Sequence, residues 1–273
     1  MKRLENTSHS SKGFTLVELV VCMVILGIIS TVVLAFLSNG TKFFVETSAR
    51  TEISVLGRNL SLRLERHLAN ALPYSYDVSS DKKSIDFLEV VGAYRVQKVQ
   101  KDVAPNEYIV SFFASTNTPF TKMRDRCLAY GIKDDDYRLY PAIFSRGDEV
   151  VKGQPLTLKD STLTWNEGDS LLSFKTTLDY KSLSEGARIY FLDNCSSIRY
   201  SQNSEALKYQ VFKYDPNLST KVEIGNYDLT GTPVKLKELR FSAGSTDVSF
   251  GFLLMNQDQS MPVSQYVEVT NAP

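Results

Sequence analysis

The first residue of this sequence that suggests a chemical role is a carboxylate inside an apolar segment. Residues 14–37 form a run of 24 residues in which Glu18 is the only charged one. A charge deep in a bilayer costs about 2.5–3.5 kcal/mol on insertion scales, so a segment that serves only as an anchor has no use for it. Glu18 therefore calls for a positively charged partner, and a charge brought in by another subunit is the leading candidate.

The chain has three cysteines. Cys22 lies within the apolar run, where a small apolar filler is the simplest interpretation. Cys127 and Cys195 follow that run, and in an oxidising compartment they are expected to form a disulfide. Sequence alone does not show that their Cα atoms come within bonding distance.

Other reactive groups are sparse. A nucleophilic triad or dyad would have to use His67, because His9 is the only other histidine and precedes the apolar run. His67 falls on a predicted helix, where a surface or packing role is the simpler interpretation. The sequence has no C-x-x-C pair, phosphate loop or G-x-S-x-G motif, and the acidic residues 134–136 lack the spacing of a calcium loop. We therefore expect no enzymatic activity, no metal and no cofactor.

The charge balance argues against a nucleic-acid partner. Basic and acidic residues number 31 each, so the formal charge is zero and the composition also gives no reason to expect an acidic substrate. Residues 1–13 carry Lys2, Arg3 and Lys12 against Glu5. Positive charge ahead of the apolar run, with none inside it, predicts a cytoplasmic N-terminus and an exported remainder.

The apolar run itself is long enough to cross a membrane. As a helix, residues 14–37 extend about 36 Å, against a hydrocarbon core of about 30 Å. A cleaved secretory signal has an apolar core of roughly 7–15 residues and ends at a small-residue site. This run is longer, and the tripeptide at residues 35–37 is a poor match to such a site. The segment is expected to remain on the mature protein.

The helical pattern continues beyond the apolar run. Apolar residues at spacings of three and four form one stripe, which consists of Ile53, Leu56, Leu60, Leu64, Leu68 and Ala71. Gly57, within this pattern, costs about 1 kcal/mol relative to Ala and indicates either a bend or a close contact. Pro73 is predicted to end the helix. The pattern thus predicts one nearly continuous helix over residues 14–72, amphipathic from residue 38 onward.

From residue 74 onward the apolar period changes to two, which is typical of strands. The predicted strands are 84–91, 94–100, 108–114, 139–144, 170–178, 188–192, 207–214, 234–241, 248–254 and 266–270. Gly244 and Ser245 are predicted to form a hairpin turn. The fold class is therefore α+β, in which residues 74–273 form one antiparallel head, with two packed sheets as an option.

The residues around the start of the apolar run resemble a known signature. The segment K-G-F-T-L-V-E at residues 12–18, followed by an unbroken apolar helix, is similar to the signature of type IV prepilins and type II secretion pseudopilins. In that family a membrane-embedded aspartyl peptidase cuts after the glycine and methylates the new N-terminal residue. The resemblance implies a leader over residues 1–13, cleavage between Gly13 and Phe14, and methylation of Phe14. It also implies that Glu18 interacts with the terminal amine of a neighbouring subunit.

A looser resemblance covers both ends of the chain and much of its length. The segments at 43–46, 64–73, 85–89 and 266–273 are similar to MshO-type minor pilins of the mannose-sensitive haemagglutinin (MSHA) pilus system. In that family a cysteine often precedes the Ile-acidic-Phe segment, whereas Ser84 stands there in this chain. No disulfide pattern is therefore carried over, and the pairing of Cys127 with Cys195 rests on compartment and count.

These observations predict a minor pilin that acts by association. We expect it to be a substrate of the prepilin peptidase and methyltransferase. It is held in inner-membrane lipid with a periplasmic head of about 200 residues, before it joins or primes a fibre with other pilins. One alternative is a large pseudopilin of a type II secretion system, and neighbouring genes would separate the two. Another is a membrane-anchored adhesin or binding protein that uses its head. A periplasmic enzyme would need a polar constellation that the sequence does not show.

Overall fold

The computed structural model describes Gly13 and the residues 15–102, 107–113, 125–131, 138–143, 156–157, 163–166, 171–176, 188–215, 220–231, 233–244 and 246–269. A long helix, α1 (Leu16–Ala69), precedes a series of antiparallel strands. The predicted α+β fold class is confirmed. The chain divides into two compact units, residues 1–50 and residues 51–273, and each is described by itself.

The first unit contains the apolar part of α1. Every side chain over residues 16–48 is exposed, including large apolar ones such as Met23, Leu34 and Phe36. Among the described residues, α1 is the helix that is long and apolar enough to cross a membrane. A helix that is apolar on all sides is stable in lipid or among other apolar helices. This unit therefore depends on surroundings that its own chain does not provide.

The second unit begins with the last turns of α1. Ile53, Leu60, Leu64 and Leu68 are buried, which confirms the predicted stripe. A Cβ atom on Gly57 would lie 3.4 Å from the side chains of Leu254 and Val263. Of the two alternatives for Gly57, the structure shows the close contact.

Helix α1 ends at Ala69, three residues before the predicted end. Ala71 forms an isolated antiparallel bridge with Glu89, and the backbone of Leu72 donates to the carbonyl of Leu88. The chain therefore leaves the helix by pairing with a strand before it reaches Pro73.

Fourteen strands follow α1. Their bounds are β1 (Asp77–Val78), β2 (Ser84–Arg95), β3 (Lys98–Lys101), β4 (Tyr108–Phe113), β5 (Leu139–Ile143), β6 (Leu156–Thr157), β7 (Leu163–Asn166), β8 (Leu171–Thr176), β9 (Arg188–Asn203), β10 (Ala206–Lys213), β11 (Val222–Asp228), β12 (Lys235–Ala243), β13 (Asp247–Asn256) and β14 (Gln259–Glu268).

The described strands form three sheets rather than the one or two expected. A seven-stranded sheet has the order β1-β2-β9-β10-β11, with β5 paired to β9 and β6 to β5. The other two are a three-stranded meander, β12-β13-β14, and a four-stranded sheet, β3-β4-β8-β7. The predicted strand 94–100 is divided, since β2 ends at Arg95, β3 begins at Lys98, and they belong to different sheets.

Two main core clusters hold these layers together. The larger joins the buried stripe of α1 to the seven-stranded sheet and the meander, through residues such as Phe87, Tyr200, Phe241 and Phe250. The second lies between the seven-stranded and four-stranded sheets and contains Phe112, Phe174, Phe191, Cys127 and Cys195. The two cysteines therefore lie inside a hydrophobic core.

Candidate functional site

The start of α1 is organised by a reciprocal pair of side chains. Thr15 immediately precedes the helix, and its backbone N–H and its hydroxyl both donate to Oε2 of Glu18, at 3.0 and 3.1 Å. In return the backbone N–H of Glu18 donates to the Thr15 hydroxyl at 3.3 Å. This is a capping box, in which two side chains satisfy N–H groups that a helix leaves without partners at its start.

The capping box gives Glu18 a role within its own chain. A carboxylate in the first turn also interacts favourably with the helix dipole, by about 0.3–1 kcal/mol at exposed sites. The sequence did carry the signal, because T-x-x-E before an apolar run is a known helix start. The predicted helix began at residue 14, so Thr15 was assigned to the helix rather than to its cap. Gly13 is exposed just before the box, and Phe14 lies outside the described residues.

Residues 8–34 match the prokaryotic N-terminal methylation motif. The match includes Gly13, Phe14, the capping box and the first half of the apolar run. It supports a type IV pilin-like protein that is processed by the prepilin peptidase and assembles with other pilins. The exposed apolar helix fits a membrane-anchored, single-pass protein of this kind. Comparison with curated proteins gave no match, and comparison with solved structures gave none.

A second site lies in the head, outside the methylation motif. The structure places Cys127 and Cys195 in a disulfide with their Cα atoms 6.0 Å apart, across 68 residues of sequence. Cys127 lies on a short helical turn, residues 125–129, and Cys195 lies in β9. Both cysteines are fully buried. The bridge therefore fastens an isolated turn to the central strand of the largest sheet.

Strand β9 is strongly irregular at the bridge. Its register against β2 shifts from Leu88 opposite Ser197 to Val90 opposite Leu192, so four residues of β9 face Glu89 alone. We refer to residues 193–196 as the β9 bulge. The backbone N–H of Cys195 donates to Oδ1 of Asp193 at 2.8 Å, which stabilises the bulge from within.

Charged side chains gather beside the bulge. Glu89 and Asp193 are both buried, and Nη1 of Arg126 lies 3.4 Å from Oε2 of Glu89 and 3.4 Å from Oδ2 of Asp193. Nδ1 of His67 lies 3.2 Å from the other oxygen of Glu89. We refer to these four residues as the buried charge cluster. It connects α1, β2, β9 and the helical turn.

The charge state of Arg126 follows from these contacts. Burial by itself would lower the pKa of Arg126, but the carboxylates of Glu89 and Asp193 more than compensate, and its pKa is raised. The guanidinium therefore remains charged and offsets two buried carboxylates. A buried carboxylate without such a partner would be costly.

Tyrosine side chains surround the cluster on the His67 side. The ring of His67 lies 5.3 Å from that of Tyr209 and 6.2 Å from that of Tyr200, measured between centroids. Burial raises the pKa values of both tyrosines. His67 thus lies at the contact between helix and sheet, as expected of a packing histidine. Its neighbours are a carboxylate and aromatic rings rather than a nucleophile.

The donor set at the bridge was tested for metal binding. Among the described residues, Cys127, Asp193 and Cys195 form a group whose ligand atoms lie within 4.8 Å of one another. The two sulfur atoms are bonded to each other, so neither can act as a thiolate ligand while the bridge is intact. Arg126 also places a positive charge beside Asp193. The arrangement therefore does not fit a cation site, and the acidic residues 134–136 lie outside the described residues.

Proposed function

We propose that this chain is a minor pilin of a type IV pilus of the MSHA type. The observation that carries the proposal is the methylation motif at the start of an exposed apolar helix, with Glu18 held in the first helical turn. Residues 1–13 are the leader, the peptidase cuts between Gly13 and Phe14, and Phe14 is methylated. The mature chain then acts by association.

The membrane arrangement follows from charge and hydropathy. Residues 14–37 span the inner membrane with the N-terminus in the cytoplasm, because the basic residues precede the apolar run. The head lies in the periplasm, which is an oxidising compartment. The Cys127–Cys195 bridge is in keeping with that location.

Glu18 sets the height at which subunits dock. Opposite charges about 4 Å apart attract by roughly 4 kcal/mol at an effective dielectric constant of 20, which is similar to the cost of placing the carboxylate in lipid. Pairing with the methylated amine of an adjacent subunit therefore adds little net stability. It penalises docking at any other height along a rod that is otherwise uniformly apolar.

Both hydrogen bonds from Thr15 reach the same oxygen of Glu18, Oε2. The capping box therefore fixes the rotamer of the carboxylate while its second oxygen can accept an external donor. A side chain already held in place loses less conformational entropy on pairing, which favours docking.

Intact-mass analysis of protein from the native host tests the processing step. We expect a mature chain that begins at residue 14 and carries the mass of one additional methylene group. Gly13→Val should leave the leader attached and Phe14 unmethylated, since the amine is not released. A wild-type chain that still begins at Met1 in the presence of the peptidase would overturn the proposal.

A large pseudopilin of a type II secretion system is the second candidate, because the same motif supports it. Deletion of the gene in the native host separates the two. A minor pilin predicts loss of surface pili with normal protein secretion, and a pseudopilin predicts the reverse. An adhesin finds less support, since Tyr200 and Tyr209, which could have formed a binding platform, are buried.

A further inference from the structure

The disulfide and the buried charge cluster share one element of the head. Arg126 and Cys127 are consecutive residues of the helical turn 125–129. Cys127 is bonded to the β9 bulge, and Arg126 contacts one carboxylate of that bulge and one of β2. The covalent bond and the ion pairs therefore depend on the same short turn being in place.

A turn of this length does not hold its position unaided. Isolated helices shorter than about 12 residues are marginal in water, because forming the first turn fixes several dihedral angles for one hydrogen bond. Two backbone hydrogen bonds, from Tyr130 to Cys127 and from Gly131 to Leu128, close the turn on itself. The bridge, by contrast, ties the turn to the central sheet.

The cluster extends from the turn to the end of α1. One oxygen of Glu89 faces Arg126 and the other faces His67, which lies three residues before the end of α1 at residue 70. Backbone pairing on either side, from Val90 to Asn70 and through the Ala71–Glu89 bridge, joins the same two segments. A displacement of Glu89 would therefore be felt at the end of the helix.

We propose that the Cys127–Cys195 bridge acts as a redox-dependent positioning device. It holds Arg126 between Glu89 and Asp193, and through Glu89 and His67 it secures the end of α1 against the seven-stranded sheet. When the bridge is reduced, the turn leaves, two buried carboxylates lose their cation, and the last turns of α1 loosen. This proposal depends on contacts within the head alone and is independent of the pilus assignment.

The redox step is thiol–disulfide exchange with a dithiol. One thiolate of the dithiol attacks a sulfur of the bridge, which forms a mixed disulfide and releases the other cysteine as a thiolate. The second thiolate of the dithiol then displaces the remaining cysteine. Two electrons and two protons pass to Cys127 and Cys195, and the dithiol becomes a cyclic disulfide. Oxidation in an exported head is the reverse reaction with a disulfide-bearing partner.

Hydrogen–deuterium exchange on the full-length chain in detergent tests the proposal. The oxidised protein is compared with the same protein reduced by dithiothreitol and with the Cys127→Ser/Cys195→Ser variant. In both reduced forms we expect amide exchange over residues 64–71 to accelerate by roughly tenfold or more, in addition to faster exchange at residues 125–131. An increase confined to 125–131 would overturn the link to α1.

Variants of Arg126 separate its charge from the chain-entropy effect of the bridge. Arg126→Gln, with the disulfide intact, should accelerate exchange over residues 64–71 much as reduction does. Both ion pairs use the same guanidinium nitrogen, so Arg126→Lys should largely restore protection. Arg240→Gln, at an exposed position of β12, is the matched control and should change nothing.

The two perturbations should also be non-additive. If the bridge acts by positioning Arg126, then Arg126→Gln has little further effect once the cysteines are replaced. If the effects add, or if Arg126→Gln leaves residues 64–71 unchanged, the bridge stabilises the head through chain entropy alone and the proposal is wrong. Should the double-serine variant fail to fold, the reduced wild-type protein gives the same comparison.

Discussion

The two parts of α1 are built from similar residues and stabilised by opposite means. Over residues 16–48 large apolar side chains cover the whole helix and all are exposed. Over residues 51–69 the apolar side chains follow one stripe, and that stripe is buried within the head. The first part therefore needs partners outside the chain, such as lipid or neighbouring helices, whereas the second has its partners inside the chain.

This difference explains where the chain can be compared with other proteins. The first part is constrained by a peptidase, a bilayer and neighbouring helices, and these constraints act on a few residues close together in sequence. The match to the methylation motif covers residues 8–34 and stops within the apolar helix. The head is constrained by contacts distant in sequence, which many different sequences can satisfy.

The disulfide provides the largest expected effect. For a sequence separation of 68 residues, chain-entropy arguments predict a stabilisation of about 4 kcal/mol. Cys127→Ser/Cys195→Ser should lower the free energy of unfolding of the head by about that amount, measured by urea unfolding of the full chain in detergent.

Cys22 offers the matched control, because it is exposed in the first unit. Cys22→Ser should leave unfolding of the head unchanged. Non-reducing peptide mapping of periplasm-derived protein should show Cys127 and Cys195 linked, and free thiols at both positions would contradict the pairing.

A leucine pair along α1 tests the comparison directly. Leu64 is completely buried, and Leu34 is 66% exposed. Leu64→Ala should destabilise the head by roughly 2–5 kcal/mol, through lost burial and the remaining cavity. Leu34→Ala should leave the urea midpoint of the head unchanged. Equal effects at both positions would show that the two parts of α1 are not independent in stability.

Much of the fold could be predicted from local patterns. The buried stripe of α1 follows from apolar spacings of three and four, and the hairpin at Gly244 follows from turn chemistry, since its N–H donates to the carbonyl of Asp247. The second hairpin of the meander was missed. Its turn uses Gln257 at a φ of 53°, a residue type that carries no turn signal.

The head site could not be predicted, for a related reason. Strand β9 was predicted over residues 188–192 and extends to Asn203. The β9 bulge interrupts the alternation that identifies a strand, and it is stabilised by Arg126 and Glu89, which are distant in sequence. A buried arginine has no local signature. Only the pairing of the two cysteines was open to inference from the sequence.

Gly57 tests how tightly α1 packs on the meander. A Cβ atom there would be in ordinary contact with Leu254 and Val263 at 3.4 Å, so Gly57→Ala should be tolerated and its helix propensity gains about 1 kcal/mol. Gly57→Leu should destabilise the head by roughly 1–3 kcal/mol, because the added atoms overpack the contact. Gly40 has no atom within 4 Å of such a Cβ, and Gly40→Leu should leave the head unaffected. Urea midpoints of the three variants check this.

Glu18 should have the smallest effect on the head and the largest effect on association. Glu18→Ala leaves the Gly13–Phe14 junction intact, so insertion and cleavage should proceed normally and the urea midpoint of the head should not change. It removes both the charge and the acceptor of the capping box. We expect weaker co-purification with partner pilins and fewer pili on the cells.

A second substitution separates these two roles of Glu18. Glu18→Gln retains a side-chain oxygen that can accept from Thr15, because glutamine also serves at this position of a capping box, but it carries no charge. If pairing with the amine of a neighbouring subunit sets the docking height, Glu18→Gln should assemble as poorly as Glu18→Ala. If Glu18→Gln assembles at wild-type levels while Glu18→Ala does not, the residue acts by capping its own helix. Normal assembly of both variants would leave the carboxylate with no docking role.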